Sequence, residues 1–344
     1  MNRVYIACPS NCFTGGPTLL HQFCYSLSRR GVDARMAYYI GAGSEAGNPV
    51  HPRYEKYKCN FIFLDDVPDD PSSVLVVPET AVAKLGHFSN VRKVIWWLSV
   101  DNYVLGNLGY FEKIQNRIKH DVDVSCFIKK SKFLKRSEFI DESIVHLAQS
   151  EYARLFLESM EVDARAIHHL SDYVDESYLT LDLAPSLVRS NVILYNPKKM
   201  GRLVRELLAC KEFAEKLIPL QGMSQDQLID AMSSAKVYVD FGSHPGKDRL
   251  PREAALCGCC IVTGKRGSAA NDVDVSIPAE YKLDDDTSVE ELKALLESIF
   301  EQFSIRTKDI EEYRADIAME KDRFEKDIDA FQHFLLRGRE RNGE

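Results

Sequence analysis

Short β-rich runs alternate with amphipathic helical segments through most of this chain of 344 residues. The first run, residues 4–8, is followed by a Gly15-Gly16 turn and then by apolar residues at helical spacing between Leu19 and Leu27. A strand that is followed by a helix pairs in parallel with a later strand, because the helix carries the chain back across the sheet. The order therefore predicts an α/β fold built from parallel βαβ units.

The length of the chain and a break in this pattern predict two domains. A single hydrophobic core usually stops growing at about 250–300 residues, and a second series of β-rich runs starts at residue 192. Residues 171–190, between the two series, show little periodicity. We expect an N-terminal domain over residues 1–175, a C-terminal domain over residues 186–303 and a helical extension over residues 304–344.

Composition excludes several classes of protein. A net charge of −8 argues against nucleic acid as a partner, because phosphate binding usually needs a basic surface. The longest apolar runs, such as residues 94–98, are strand-length and fall short of the roughly 18 residues that a membrane span requires. No charged leader with a cleavage site precedes residues 4–8, and the cysteines follow no disulfide or zinc spacing. We therefore expect a cytoplasmic protein.

The first loop, Thr14-Gly15-Gly16-Pro17, is a candidate ligand-binding turn. A glycine pair lets the backbone approach a ligand closely, and the N–H groups of the next helix can bind phosphate or sugar oxygens. Pro17 fits the first helical position, where no N–H is needed. A tight turn with no ligand explains the same residues equally well. The spacing is not the GxGxxG of a dinucleotide site, which argues against an oxidoreductase.

A second candidate loop follows the apolar run at residues 237–241 and leads into a helix. It is rich in glycine and cations, and open α/β sheets bind ligands at such carboxyl ends of strands. Lys247 and Arg252 could neutralise a diphosphate, and Glu253 could accept hydrogen bonds from both hydroxyls of a ribose. Asp248 is the expected N-cap of the helix. The alternative is a solvated helix start with an incidental salt bridge.

Residues 251–264 resemble the C-terminal donor site of GT-B glycosyltransferases, where a Glu-Ala-x-x-x-Gly stretch precedes a strand of small residues and a glycine loop. Residues 14–16 are similar to the N-terminal glycine loop of that family, and residues 194–199 to the opening strand and basic turn of its C-terminal domain. The resemblance implies two Rossmann-like domains that face a cleft, with a long C-terminal helix. It also implies transfer of a sugar from a nucleotide diphosphate sugar to a hydroxyl acceptor, in the synthesis of a cell-surface polysaccharide or glycoconjugate.

The resemblance also assigns residues to the donor site. The donor-binding residues that it implies are Gly15, Gly16, Lys198, Lys199, Ser243, His244, Lys247, Arg252 and Glu253. Many retaining members carry a pair of glutamates, of which Glu253 matches the second, but Pro245 stands at the first position. His244 is a neighbour that could replace the missing glutamate, and the stereochemical outcome stays open. Because protein cations can hold the diphosphate, we expect no cofactor and no obligatory metal.

The acceptor side of the site is predicted at the carboxyl end of the apolar run that includes Trp97. In a GT-B fold this end faces the acceptor, so Trp97 could stack against a sugar, with Ser99 and Asn102 beside it. Asp101 could act as the general base for the acceptor hydroxyl. The alternative is that Trp96 and Trp97 pack in the core. In that alternative Asp101 caps the following helix.

A cationic segment, residues 129–136, suggests that the protein binds its acceptor at a membrane surface. It holds five cations and two apolar residues, and could rest on the anionic inner face of a membrane that carries a lipid-linked acceptor. The alternative is a solvated loop whose charges pair with the acids that follow it. In that alternative the protein would stay free of the membrane, and its acceptor would be a glycan.

Two alternative functions remain open. A nucleotide-sugar 2-epimerase has the same two-domain architecture, and a non-catalytic nucleotide- or sugar-binding protein would need the same loops. The acidic runs at residues 65–66, 69–70 and 284–286 could be offered as metal sites. They lie among turn-forming residues, so we interpret them as solvated loops and predict no metal ligands.

Overall fold

The computed structural model describes residues 3–40, 47–107, 141–181 and 188–337, which form two compact units. The first unit contains residues 3–40, 47–107, 141–172 and 322–337, and the second contains residues 173–181 and 188–321. The segment 304–344, which the sequence predicts as a separate extension, is divided between the units within its described part. Its residues up to 321 belong to the second unit.

Parallel strands form the sheet of the first unit. Its described strands are β1 (Arg3–Pro9), β2 (Asp33–Tyr39), β3 (Phe61–Phe63), β4 (Ser73–Pro78), β5 (Arg92–Trp97), β6 (Val145–Ala148) and β7 (Ile167–His169). They are ordered β3-β2-β1-β4-β5-β6-β7, and neighbouring strands are parallel. The order reverses at β1, which pairs with β2 on one side and with β4 on the other. Ligands of open α/β sheets bind beside such a reversal, outside the carboxyl ends of the strands.

The helices of the first unit begin just after its strands. Up to residue 172 the described ones are α1 (Gly15–Arg29), α2 (Val100–Asn107) and α3 (Glu151–Ser159), with 3-10 helices Pro52–Tyr57, Leu64–Asp66, Glu79–His87 and Ala164–Ala166. Leu20, Phe23 and Leu27 of α1 are buried, which confirms the predicted apolar face. The Ser150 side chain caps α3 by accepting a hydrogen bond from the Ala153 N–H.

The second unit repeats this architecture with a smaller sheet. Its described strands are β8 (Ser190–Tyr195), β9 (Leu217–Pro219), β10 (Ala235–Asp240), β11 (Cys260–Gly264) and β12 (Lys282–Leu283). Their order is β12-β11-β10-β8-β9, and neighbouring strands are again parallel. The mixed α/β class and the two parallel sheets predicted from the sequence are confirmed.

Helices surround the strands of the second sheet. The described ones are α4 (Glu176–Leu179), α5 (Gly201–Ala209), α6 (Lys211–Ala214), α7 (Gln225–Ser234), α8 (Arg249–Leu256), α9 (Val289–Glu301), α10 (Phe303–Arg306) and α11 (Glu311–Ala318). The next helix, α12 (Glu320–Arg337), belongs to the first unit from residue 322 onward. Short 3-10 helices lie at Gly267–Ala270, Ala279–Tyr281 and Thr307–Ile310. The boundary between the units falls within α12, after Lys321.

The central strands β10 and β11 are buried on both faces, as expected for a parallel sheet that helices cover. Val237, Tyr238 and Ile261 have no exposed surface. The loops that follow β8, β10 and β11 leave the sheet at the same edge, because the strands are parallel. This carboxyl edge carries most of the residues that the sequence assigns to a donor site.

Candidate functional site

Loops from three strands meet at the carboxyl edge of the second sheet. A Cβ atom on Gly242, after β10, would lie 2.5 Å from Cβ of Lys199, after β8. A Cβ atom on Gly267, after β11, would lie 1.9 Å from the carbonyl oxygen of His244. Real Cβ contacts are never that short, so both positions require glycine for the loops to come together. The structure therefore brings Lys199, Ser243 and His244 into one cluster.

An ionic cluster connects two of these loops. Lys199 Nζ donates a hydrogen bond to Asp248 Oδ2, and the buried His244 ring lies between two carboxylates. Its Nδ1 is 3.3 Å from Asp248 Oδ2 and its Nε2 is 3.5 Å from Asp240 Oδ1. Nδ1 makes no hydrogen bond of good geometry within the described residues. Asp240 Oδ2 accepts a hydrogen bond of 2.9 Å from the Tyr238 hydroxyl.

Two features of this cluster bear on the sequence predictions. Asp248 stands at the N-cap position of α8, but its side chain makes no capping hydrogen bond and binds Lys199 instead, which corrects the predicted cap. Asp240, His244 and Asp248 each offer one ligand atom, all within 4.8 Å of one another, and could hold a metal ion. A metal there would compete with the ammonium of Lys199 for Asp248.

Arg252 and Lys247 share one carboxylate at the start of α12. Arg252 Nη1 lies 2.6 Å from Glu320 Oε2, and Lys247 Nζ lies 2.8 Å from Glu320 Oε1. Arg252 also donates to the carbonyl oxygens of Lys247 and Asp248. Since Arg252 is only 1% exposed, it presents no surface to a diphosphate. The predicted direct contact of Arg252 is therefore corrected, and the structure makes it a residue that holds the backbone of the loop after β10.

Glu253 is the buried carboxylate of α8. It is 6% exposed, and burial raises the pKa of its carboxyl, while the charges of Arg249 and Arg252 act against this rise. The hydroxyl of Tyr178 also interacts with it. A carboxylate held among cations stays able to accept hydrogen bonds from hydroxyl groups. Lys198 is exposed in the loop after β8, where its N–H donates to Asn196 Oδ1.

In the first unit, Gly15 and Gly16 form the first residues of α1. Thr14 is the N-cap, with extended backbone and no side-chain capping bond. Pro17 is therefore the third helical residue rather than the predicted first, in a turn whose N–H groups have no partner inside the helix. A Cβ atom on Gly16 would lie 3.7 Å from Leu98 Cδ1, an ordinary contact. Space alone therefore does not require glycine at position 16.

Trp97 lies in the core, which corrects its predicted role as a surface for stacking. The side chain is 0% exposed, and its Nε1 donates a hydrogen bond of 3.0 Å to His146 Nδ1. The ring packs against Tyr103 and Phe156. Trp96 is buried as well, with its Nε1 bonded to the carbonyl oxygen of Leu170. The core alternative therefore explains both tryptophans.

The remaining predicted acceptor residues lie around the start of α2. Asp101 is 3% exposed, and its Oδ1 accepts a hydrogen bond of 2.8 Å from the Tyr152 hydroxyl. Ser99, rather than Asp101, caps the helix, because its Oγ accepts from the Asn102 N–H. The Asn102 side chain is exposed. These three residues therefore lie together beside the carboxyl end of β5.

Glu79, which follows β4 directly, is a candidate site residue that was not predicted from the sequence. Its Oε2 accepts a hydrogen bond of 2.9 Å from the Leu98 N–H, and the residue is 3% exposed. Burial raises the pKa of its carboxyl to about 7, while hydrogen bonds from backbone N–H groups, including those of Leu98 and Ser99, act against this rise. A single acidic residue after the all-apolar residues 74–78 was the available signal.

Comparison with known proteins defines the class of fold. No protein-family model and no curated protein sequence matches the chain. Solved structures match: a glycosyltransferase from Rickettsia africae ESF-5 is 12% identical, with a TM-score of 0.59 and 98% of each chain covered. Sucrose-phosphate synthase from Thermosynechococcus elongatus is 11% identical, with a TM-score of 0.64 over 98% of this chain and 99% of that one.

A third solved structure is that of HepE from Anabaena in complex with UDP-glucose. It is 10% identical, with a TM-score of 0.60 over 96% of this chain and 99% of that one. These neighbours are GT-B glycosyltransferases, and this chain has the same fold. The resemblance first drawn from the donor-loop sequence is thereby confirmed for the fold.

None of the helices in the described ranges is both long enough and apolar enough to cross a membrane. Residues 129–136, the predicted cationic membrane contact, lie outside the described residues. Their role stays a prediction from the sequence.

Proposed function

We propose that this protein is a glycosyltransferase that moves a sugar from a nucleotide diphosphate sugar to a hydroxyl acceptor. The observation that carries the proposal is Glu253, a nearly buried carboxylate on α8 at the edge where the Lys199 and His244 loops meet. The GT-B fold supports it, and HepE, which has this fold, was solved with UDP-glucose. The donor would lie against the second unit.

Each part of this edge suits one part of a nucleotide diphosphate. Glu253 accepts hydrogen bonds from the ribose hydroxyls, and Lys198 and Lys199 stand beside the diphosphate with Ser243. As the bond to the sugar breaks, negative charge grows on the departing diphosphate, and fixed ammonium groups stabilise it. Asp248 holds Lys199 in place, and Glu320 fixes the loop through Arg252 and Lys247. In this proposal no obligatory metal is needed.

The acceptor would bind on the first unit, beside the ends of β1, β4 and β5. Gly15 and Gly16 start α1 there, and Ser99 and Asn102 offer polar groups near the end of β5. A glycan or a lipid-linked sugar of a cell-surface polymer could serve as the acceptor, since both present hydroxyl groups. In the lipid-linked case, residues 129–136 would bring the protein to the anionic cytoplasmic face of a membrane.

A thermal-shift panel followed by turnover assays tests the proposal. UDP, GDP, ADP and CDP are compared at equal concentration, and the nucleotide that fits raises the melting temperature by mass action. Matching nucleotide sugars are then incubated with and without sugar acceptors. Transfer confirms the proposal. A change of the donor sugar itself without acceptor would indicate the 2-epimerase, and binding without turnover would indicate a binding protein.

A further inference from the structure

Glu79 lies at the point where the strand order of the first sheet reverses. It follows β4 directly and starts the 3-10 helix Glu79–His87, while β1 and β5 flank β4 in the sheet. The loop that leads to α1, with its glycine pair, leaves the neighbouring β1 at the same carboxyl edge. Open α/β sheets bind ligands at this kind of position.

The carboxylate of Glu79 is fixed in place by hydrogen bonds from the backbone rather than by an ion pair with any cation of the described residues. Its Oε2 accepts the Leu98 N–H at 2.9 Å, so it is held against the turn that leads from β5 to Ser99 and Asp101. Within the described ranges, no lysine or arginine forms an ion pair with it. A glutamate is rarely buried without such a partner, because removing its charge from water is unfavourable. Structural needs alone would be met by a neutral side chain.

The surroundings of Glu79 hold few charges. The titratable groups on the elements around it are Cys8 on β1, Cys12 in the loop after β1, Tyr39 at the end of β2, Lys84 and His87 on its own 3-10 helix, and Asp101 and Tyr103 on α2. Lys84 Nζ lies 4.4 Å from the centre of the Tyr39 ring, and β5 carries its charged Arg92 and Lys93 at the opposite end. Burial is the main cause that raises the pKa of Glu79 to about 7. A group of this kind gains and loses a proton near neutral pH.

We propose that Glu79 is the general base for the acceptor hydroxyl, an inference that rests on the proposed glycosyl transfer. The hydroxyl proton moves to the Glu79 carboxylate while the oxygen's electron pair forms a bond to the anomeric carbon of the donor sugar. The bond from that carbon to the diphosphate oxygen breaks, and its electron pair leaves with the nucleoside diphosphate. Glu79 then releases the proton to water, which restores the carboxylate.

Asp101 is the base that the sequence predicted, and it lies on the helix that starts after the turn that Glu79 holds. Its Oδ1 accepts a hydrogen bond from the Tyr152 hydroxyl, whereas the hydrogen bonds described for the Glu79 carboxylate come from backbone N–H groups. The structure therefore gives two carboxylates at neighbouring strand ends, and the raised pKa of Glu79 suits that residue to accept a proton near neutral pH. Comparing the two by substitution separates their roles.

The test compares Glu79→Gln with Asp101→Asn and with Asp33→Asn, a control at the amino end of β2. A glutamine oxygen can still accept the Leu98 N–H, so the turn is kept while the base is lost. Initial rates are measured with UDP-glucose, GDP-mannose, ADP-glucose and dTDP-glucose as donors and with water or methyl glucoside as acceptors. We expect Glu79→Gln to lower kcat by about 10²–10⁴-fold with unchanged nucleoside diphosphate affinity. In the wild type, kcat/KM should fall below about pH 7, because the base becomes protonated. This fall should be absent in Glu79→Gln and present in Asp101→Asn.

Infrared difference spectra supply a readout that does not need turnover. As the pH is lowered from about 9 to about 5, a band from a protonated carboxyl should appear in the wild type with a midpoint near neutrality. This band should be absent in Glu79→Gln. An active wild type together with a fully active Glu79→Gln would overturn the base assignment and leave the transferase proposal standing. A wild type that binds nucleotides but transfers nothing would overturn both. If Glu79→Gln does not fold, Glu79→Asp keeps the acid and should retain partial activity with the same acid limb; loss of that limb contradicts the proposal.

Discussion

At the scale of single residues, Glu253 and Glu79 are both carboxylates removed from water, but their surroundings differ. At Glu253 the positive charges of Arg249 and Arg252 act against the effect of burial on the pKa. At Glu79 the groups that act against burial, among the described residues, are backbone N–H groups, and the pKa reaches about 7. An anion among cations is suited to bind hydroxyls, whereas one without a cation is suited to exchange a proton. The two glutamates therefore suit different roles in the proposed glycosyl transfer.

Substitution of Glu253 tests the nucleotide site. Glu253→Ala should weaken binding of the preferred nucleoside diphosphate by about 1.5–3 kcal/mol, because a charge-assisted hydrogen bond to the ribose is lost. Calorimetric titration measures this change, which corresponds to a roughly tenfold to hundredfold rise in Kd. Glu206→Ala, which removes an exposed partner of Arg202 on α5, is the matched control and should leave Kd unchanged. Equal affinity of wild type and a folded Glu253→Ala would remove Glu253 from the site.

The raised pKa of Glu79 predicts a pH dependence of stability. Its pKa in the folded protein is about 7, above the ordinary value of 4.5, so its contribution is fully present below about pH 4.5 and lost as pH rises through 7. Glutamine stays neutral throughout. Between about pH 5 and pH 8, the unfolding free energy of the wild type should therefore fall by up to about 3 kcal/mol relative to that of Glu79→Gln. Urea unfolding at both pH values measures it, and a difference independent of pH would contradict the assignment.

At the scale of elements, the start of α8 depends on a residue that is distant in sequence. Glu320, at the first position of α12, is 68 residues from Arg252, and its carboxylate bridges Arg252 and Lys247. Arg252 in turn donates to two carbonyl oxygens of the loop between β10 and α8. The conformation of this loop is therefore fixed from outside the segment that would bind the donor.

Removing this carboxylate should destabilise the second unit. Glu320→Ala leaves the buried guanidinium of Arg252 without a counter-charge, which typically lowers the free energy of unfolding by about 3–5 kcal/mol. Glu325 lies on the same helix, forms an ion pair with Arg30 and has a side chain that is 35% exposed. Glu325→Ala should therefore lower the free energy of unfolding by at most about 1 kcal/mol. Thermal unfolding of both variants measures the contrast. Equal, small shifts would show that the bridge contributes little.

The sequence predicted elements better than it predicted contacts. Apolar runs such as residues 192–195 and 237–241 are long enough to identify the buried strands β8 and β10, and the glycine and proline positions located the loops after them. It could not assign Trp97, because an apolar ring at a strand end suits both a core and a sugar-binding surface. Nor could it find Glu320 as the partner of Arg252, since pairing across 68 residues depends on the folded chain.

At the scale of the whole molecule, the reaction needs positive charge to balance a diphosphate, and the proposal supplies it from lysines. Activity should therefore survive exhaustive treatment with EDTA, as measured by release of the nucleoside diphosphate. Equal rates in EDTA, Mg²⁺ and Mn²⁺ are expected, because the ammonium groups remain. Loss in EDTA with recovery in Mn²⁺ or Mg²⁺ would contradict this and indicate the group formed by Asp240, His244 and Asp248.

The distribution of charge over the chain predicts where the protein acts. The net charge is −8, yet residues 129–136 contain five cations with Phe133 and Leu134 among them. Each basic residue near an anionic surface contributes about 1 kcal/mol, so several together could hold the protein at a membrane. The acids Glu138, Asp141 and Glu142 follow closely and would offset part of this attraction. We propose peripheral, salt-sensitive association with anionic lipid.

Vesicle co-sedimentation tests this association with a control of equal charge. Wild type should sediment with vesicles that contain phosphatidylglycerol and not with pure phosphatidylcholine, and it should be released by salt, because exposed charges are screened. Substitution of Lys129, Lys130 and Lys132 by Glu should abolish binding. The same change at the exposed Arg53, Lys56 and Lys58 alters the net charge equally and should leave most binding intact. Equal loss in both variants would make the attraction one of overall charge, and equal sedimentation of all three proteins would exclude a role for residues 129–136.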